Sequence, residues 1–484
     1  MLRGRPHGFP VSMPASWRAV RFIAAIAVFL PWPVHAEDTN SGTTTPTRPS
    51  IMFNRWEEDW SVLADPRVQR QPLDSWKYIP LSPFDPKTYL SFGGDFRERF
   101  EANNAVNFGI APNHNQNYVI SRSEAHADLH IADEVQVFIQ LQSDFAPWKT
   151  IITPVDRDRL DLEQAFAILT EPIGDGTAKV RLGRQQFNFD LQRFISVRDG
   201  PNVRQSFDGG WVEYQTGPWK FIALYTNPVQ VLDDHVFDDY GSASTQSFGL
   251  ARVERKLSDT ANISAYYAHS TEADAHFANA SGDDRRDILD VRLGDNRNNV
   301  DWDVEVMGQG GSIGAQPVAA WGFGSTAGYT FADRSWTPRI GLQVDGASGD
   351  SHLPGHSFGT FNPLFPNGYY FTLAGYTTYV NLIHIKQSLT LQPTRSIKIL
   401  LAVAEQWRQT TADAVYVVPD IPLPGTAGKP GRYTGSYEQA RVDWTITPQL
   451  SFAVEAVYFE VSDVIVRAGG HNSAYLGVQV AYGW

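Results

Sequence analysis

Apolar and polar side chains alternate with a period of two from about residue 90 to the end of the chain. In residues 90–101, Leu90, Phe92, Phe96 and Phe100 take one set of positions. Ser91, Asp95, Arg97, Arg99 and Glu101 take the other. Successive side chains of a strand point to opposite faces, so this segment predicts a strand with one oily and one charged side. Asp301, Asp303 and Glu305 against Val300, Trp302, Val304 and Val306 repeat the pattern, and residues 451–460 show a noisier version. About 18 such segments can be counted, centred near residues 95, 124, 140, 164, 182, 212, 222, 250, 265, 289, 304, 324, 340, 384, 401, 440, 455 and 479.

The connections between them decide the architecture. Short turns such as Ala132-Asp133-Glu134, Thr216-Gly217-Pro218, Ser258-Asp259-Thr260 and Thr447-Pro448-Gln449 each follow an even-numbered strand. The intervening connections run from about 11 to 32 residues, as at 187–206, 345–375 and 407–432. A soluble β-sandwich also alternates but has no reason to keep this parity. Short periplasmic turns alternating with long extracellular loops mark a transmembrane antiparallel β-barrel. The expected fold is therefore all-β, a closed barrel over residues 90–484. Closure also satisfies every backbone polar group in lipid. The last strand alternates Leu476, Val478, Val480 and Tyr482 up to Trp484. This resembles the C-terminal signal by which the outer-membrane barrel assembly machinery recognises its clients.

Before the barrel, residues 1–36 read as a cleavable export signal. Arg18 and Arg21 precede an apolar core from Phe22 to Leu30, and Val34-His35-Ala36 supplies small-residue cleavage chemistry. The apolar run is too short to span a bilayer. Residues 37–89 begin as a polar, Pro/Thr-rich leader and continue as an irregular periplasmic segment in which Pro and Asp interrupt any period. With 40 Lys and Arg against 53 Asp and Glu, the chain is acidic, and loss of the signal's four arginines makes it more so. That argues against a nucleic-acid partner. There is no cysteine, hence neither a disulfide framework nor a thiolate metal site.

A barrel of this size leaves an aqueous lumen, so the chemistry should lie on the charged faces. Asp95, Arg97 and Arg99 share one face of the first strand. In the second, Arg122 and Glu124 line up with His126, Asp128 and His130; in the fourth, Arg159, Asp161 and Glu163 do; in the fifth, Lys179 and Arg181 do. Arginine suits carboxylate binding, since its planar fork donates two hydrogen bonds and its charge does not titrate away. The bland alternative is that these charges pair with one another across strands. His126, Asp128 and His130 lack a shaped further ligand position, so neither a metal nor a cofactor is expected. An envelope hydrolase is a third reading, with Gly349-Asp350-Ser351-His352 in the longest loop as its first suspect.

At residues 55–65 (RWEEDWSVLAD), 180–185 (VRLGRQ), 194–210 (FISVRDGPNVRQSFDGG) and 359–371 (GTFNPLFPNGYYF), the chain resembles the alginate-export family of outer-membrane channels. That resemblance implies an 18-stranded monomeric barrel with an arginine-rich constriction that passes a polyanion. By the same resemblance Arg184 and Arg204 become pore candidates. Strict alternation from Val180 and Leu182 turns Arg184 toward lipid. A bulge at Gly183 that re-aims it inward is the preferred resolution, and a position near the membrane interface is the other. Arg198, Asp199, Arg204 and Asp208 are expected in an extracellular loop folded inward, where they either reach the pore or staple the loop by internal salt bridges. The expected function is passive export or diffusion of an anionic solute, such as alginate or another acidic polysaccharide, across the outer membrane. The alternative is an uptake porin for small nutrients.

Overall fold

The computed structural model describes residues 48–110, 115–233, 235–241, 245–351 and 356–484. The expected export signal, the leader up to residue 47 and His352 lie outside them. The alternating pattern folds as eighteen long strands. The first six are β1 (Tyr89–Asn103), β2 (Gln116–Ile131), β3 (Val135–Phe145), β4 (Asp158–Ile173), β5 (Gly176–Gln185) and β6 (Phe207–Thr216). Then come β7 (Trp219–Gln230), β8 (Gln246–Lys256), β9 (Ala261–His276), β10 (Ser281–Arg297), β11 (Val300–Ile313) and β12 (Gln316–Thr330). The last six are β13 (Arg339–Ala347), β14 (Leu382–Thr394), β15 (Ile397–Arg408), β16 (Tyr433–Thr445), β17 (Leu450–Val461) and β18 (Ser473–Gly483). Each pairs antiparallel with the next, and β18 pairs back onto β1, with Asp95 opposite Gly483 and Asn103 opposite Tyr475. All eighteen segments inferred from alternation fall within these strands.

The two faces of the sheet differ as the sequence requires. Leu182, Tyr225 and Leu289 stand on the outer face at 60–66 % exposure, while Arg97, Arg99 and Glu101 are buried inside. So much apolar surface is untenable in water and fits a lipid-facing belt. Exposed aromatics gather near both rims, with Trp219, Trp336 and Trp444 at the short-turn end and Trp321 and Tyr458 toward the other. The short turns use residues that tolerate left-handed backbone. Asn298 and Asn299, with φ of 54° and 67°, make the two-residue turn between β10 and β11, the geometry that matches strand twist.

The expected parity needs one correction. At the long-loop end, β9–β10 and β11–β12 are joined only by residues 277–280 and 314–315. These four strands are 14 to 17 residues long, well beyond the roughly 9–11 that cross a bilayer. Here the chain spends its extra residues on extending the ladder instead of on a loop.

Loops 186–206, 348–381 and 409–432 turn inward and give the barrel an apolar core that no strand pattern announces. Ile195 and Phe365 form a parallel bridge between the first two loops. Around it Phe194, Phe361, Phe358 and Tyr379 are buried with Phe207, Phe248 and Met307 of the wall. Each such side chain contributes about 1.5–3 kcal/mol when fully buried. A second cluster joins Val415, Val417 and Leu423 to Tyr437, Phe459 and Tyr475.

At the short-turn end, residues 48–88 pack against the barrel. Arg55 donates to the Trp484 carbonyl at 2.7 Å, the Gly94 carbonyl at 3.3 Å, Asp95 at 2.5 Å and Glu58 at 2.7 Å. Trp56 meets Phe166 edge-on, and its carbonyl accepts from Gln136. The single turn α1 (Asp74–Lys77) follows, and Ile79–Pro80 pairs with the start of β1.

Candidate functional site

The inward faces of β1 and β2 aim two arginines at the loop between β5 and β6. Strand alternation places Arg97 and Arg122 there, and the loop brings Asp199 and Arg204 to meet them. Arg122 Nη1 and Arg204 Nε each lie 2.7 Å from Asp199 Oδ1, and Arg97 Nη1 lies 3.9 Å from it. The same guanidinium groups hold the loop backbone. Arg97 donates to the carbonyls of Asp199 and Pro201 at 2.9 Å each, and Arg122 to those of Asn202 and Pro201 at 2.7 and 2.8 Å. Asn202 answers by donating to the Ser121, Phe145 and Asp156 carbonyls. A Cβ on Gly200 would stand 1.7 Å from the Tyr369 ring, so this turn demands glycine.

One carboxylate is thus gripped by three guanidinium groups, a charge-assisted arrangement. Burial alone would raise the Asp199 carboxyl, but Arg204, Arg122 and Arg97 together hold it well below the usual carboxylate range. Arg204 also meets Glu124 at 2.6 Å and Glu163 at 3.4 Å, under the Phe53 ring. A cavity of about 350 Å³ borders the cluster, between residues 51–55 and the inner wall.

The other expected lumen residues separate into distinct environments. Arg99 lies 3.0 Å from Glu101 and 2.7 Å from Glu455, bonds the Tyr475 hydroxyl and stacks on Tyr369. Asp95 belongs to Arg55. Glu163 accepts from Gln140 and Gln186. Arg181 projects inward among the Trp56, Trp211 and Phe166 rings.

Two placements depart from expectation. Arg159 does not line up with Glu163, because register shifts between Gln140/Leu141 and Gln142/Asp144 break the alternation of β4. Its side chain is 52 % exposed and pairs with Asp233 at 3.4 Å. Arg184 is not re-aimed inward, since the β5 ladders to β4 and β6 run without a bulge. Gly183 is there for another reason: at φ 130°, a Cβ would sit 2.2 Å from the Ala165 carbonyl oxygen. Arg184 stays near the long-loop end of β5, half-buried beneath residues 231–241, and binds Asp208 at 2.8 and 3.1 Å.

His126, Asp128 and His130 do not converge on one point. His130 meets Asp128 at 3.0 Å and stacks on Tyr89, while His126 stacks on Phe138. Gly310-Gly311-Ser312-Ile313-Gly314 has the spacing of a hydrolase nucleophile elbow, but it runs through the β11–β12 hairpin instead of a strand-to-helix turn.

Sequence reasoning passed over Arg193. Its buried guanidinium lies 2.5 Å from Asp303 and 2.9 Å from Glu305 and donates to the Tyr370 hydroxyl. The available signal was a lone cation inside the apolar run FNFDLQRFISV, which cannot be buried without a partner. A second basic and aromatic region joins Lys179 and Arg181, read from the alternation, to Lys220, Arg252 and Arg292, which were not, beside Trp56, Trp211 and Phe189. It is balanced by Asp190, which holds both Arg252 and Arg292.

The cap over the short-turn mouth carries a pH signature. Lys77 Nζ lies 5.1 and 5.3 Å from the Trp60 and Trp484 ring centroids and has no hydrogen-bond partner among the described residues. Burial, and then Arg55, push its ammonium down to about 7 against the pull of Glu58 and Asp95. A lysine with a folded value below the unfolded value of about 10.4 makes docking weakest at low pH. Docking strengthens as pH rises from about 7 toward 10, where only the unfolded form still binds the proton. Protease cleavage of residues 48–80 is therefore expected to be faster near pH 6 than near pH 9. Lys77→Met should remove the difference; pH-independent cleavage of the unsubstituted protein would count against this account.

The comparisons with known proteins agree with this geometry. The family described as alginate export matches residues 88–479. A BenF-like porin from Pseudomonas fluorescens Pf-5 superposes with a TM-score of 0.56 at 9% identity, covering 82% of this chain and 99% of that one. The outer-membrane protein opdK of Pseudomonas aeruginosa gives 0.54 at 8% identity, covering 81% and 98%. OccK2 (OpdF) of Pseudomonas aeruginosa, solved in complex with glucuronate, gives 0.52 at 10% identity, covering 81% and 97%. At these identities the likeness concerns the fold alone. A search of curated proteins finds no match.

Proposed function

The chain belongs to the alginate-export family and is an outer-membrane channel; from that premise we propose that its cargo is an anionic solute, alginate or another acidic polysaccharide, diffusing passively through the lumen. The observation that carries this reading is Asp199. An internal carboxylate seated on Arg97, Arg122 and Arg204 supports a lumen suited to carboxylate cargo. A uronate carboxylate offers the same two oxygens to the same guanidinium forks.

A second reading, an uptake porin for small nutrients, is favoured by the loops packed against the inner wall. The cavity beside the arginines, about 350 Å³, suits one small solute better than a polymer segment. In either case a monomer rests on the family resemblance. The alternating face of β18 ending near Trp484 supports recognition by the barrel assembly machinery.

Reversal potential across a planar bilayer, measured under a salt gradient with and without uronate oligomers, tests the proposal. Anion selectivity with block that tightens as the oligomer lengthens is the expected result. Anion selectivity with block by the monomer alone would favour the nutrient porin. Cation selectivity without block would overturn the anionic cargo and leave the channel standing.

A further inference from the structure

We propose that Asp161, Asp238 and Asp239 form a calcium site at the extracellular end of the barrel, where the ion pins the segment between β7 and β8 onto β4. The proposal is independent of the cargo. The segment folds back along the wall: Tyr240–Gly241 pairs with Val229–Gln230, and Phe237 donates to the Leu160 carbonyl at 3.0 Å. The Asp239 N–H binds Asp161 Oδ2 at 3.0 Å. In this arrangement one carboxylate oxygen from each of Asp161, Asp238 and Asp239 lies within 4.8 Å of the others. Calcium–oxygen distances are roughly 2.3–2.6 Å, so small side-chain shifts bring all three within reach of a single ion.

Asp158 supplies the independent sign that a cation belongs here. It is fully buried. One of its oxygens accepts from Gln142 Nε2 at 2.8 Å, whereas Oδ1 has no partner among the described residues. The acidic charges facing it are Asp239, Asp161 and Asp233. Asp238 Oδ1 is likewise buried without a partner. The neighbouring arginines do not settle this excess. Arg157 and Arg159 are committed to Asp233, and Arg184 gives its two short bonds to Asp208, approaching Asp161 only to 3.6 Å. Buried carboxylates without cations are costly. Hard oxygen donors on an irregular loop suit calcium, which accepts six to eight flexible ligands, better than magnesium, which demands a tight octahedron.

The test is calorimetric titration of calcium chloride into the full mature chain, refolded in divalent-free micelles. One site is expected, with a Kd of about 10⁻⁴–10⁻³ M, the range of extracellular calcium modules. Asp161→Asn and Asp239→Asn are expected to weaken it about tenfold or more, and Asp175→Asn, in an exposed turn at the other end, to leave it unchanged. Calcium should also slow chymotryptic cleavage at Phe237 and Tyr240. The absence of saturable binding to the unsubstituted chain would overturn the site whether or not the variants fold. So would magnesium competing on equal terms, or unaltered affinity in both folded aspartate variants.

Discussion

Asparagine in place of Asp199 is expected to move the reversal potential toward the anion limit and to tighten block by uronate oligomers about tenfold. The substitution keeps an oxygen for Arg122 and Arg204 to bind but removes the charge that competes with an incoming carboxylate. A hydrogen bond to a charged group contributes about 1.5–3 kcal/mol, and about 1.4 kcal/mol is a factor of ten in affinity. The loop should stay in place, because Arg97, Arg122 and Asn202 hold it through backbone carbonyls that the change leaves intact. Asp199 is held well below the ordinary carboxylate range. Its stabilising contribution is therefore complete above the unfolded value of about 3.9 and fades only as pH falls through the lower folded value. The contrast between Asp199→Asn and the unsubstituted channel should thus be constant from about pH 5 upward. Unchanged selectivity and block in the variant would remove the arginine cluster from the account of cargo recognition.

Arg193→Leu is expected to have the largest effect on stability, a loss of about 3–5 kcal/mol, the usual consequence of breaking a buried ion pair from one side. The substitution strands the Glu305 carboxylate, leaves Asp303 to Arg292 alone and removes the donor to Tyr370. Loops 186–206 and 348–381 should then leave the lumen, raising single-channel conductance and exposing both to protease. Arg193→Lys should give a smaller loss, since it keeps the charge and gives up the fork. A variant as stable and as narrow as the original would show that the aromatic packing alone keeps the loops inside.

Much of the fold was legible because a barrel wall obeys one rule, and period two survives local noise. The same rule failed at Arg159, where the register shift between Asp161 and Asp158 turns Arg159 out and Asp158 in, an event that alternation cannot encode. At Arg184 the glycine was correctly noticed and wrongly explained. It accommodates a neighbouring carbonyl and leaves the ladder in register. The inward course of residues 194–210 was expected from the resemblance, but what the inward loops pack against was illegible for a different reason. Runs such as FNFDLQRFISV and TFNPLFPNGYYF carry aromatic residues without a period, and what they pack against comes from strands far away in sequence. Asp161 and Asp239 show the extreme case: a constellation assembled across 78 positions has no spacing to read.

The bonds of Arg55 span the seam where the barrel closes. Its guanidinium reaches the Gly94 carbonyl and Asp95 on the first strand and the Trp484 carbonyl at the end of the last. These acceptors come together only once the first and last strands have paired. Docking of the N-terminal segment through Arg55 therefore depends on a closed seam, and a barrel with an open seam is expected to betray itself by a cap that protease can reach.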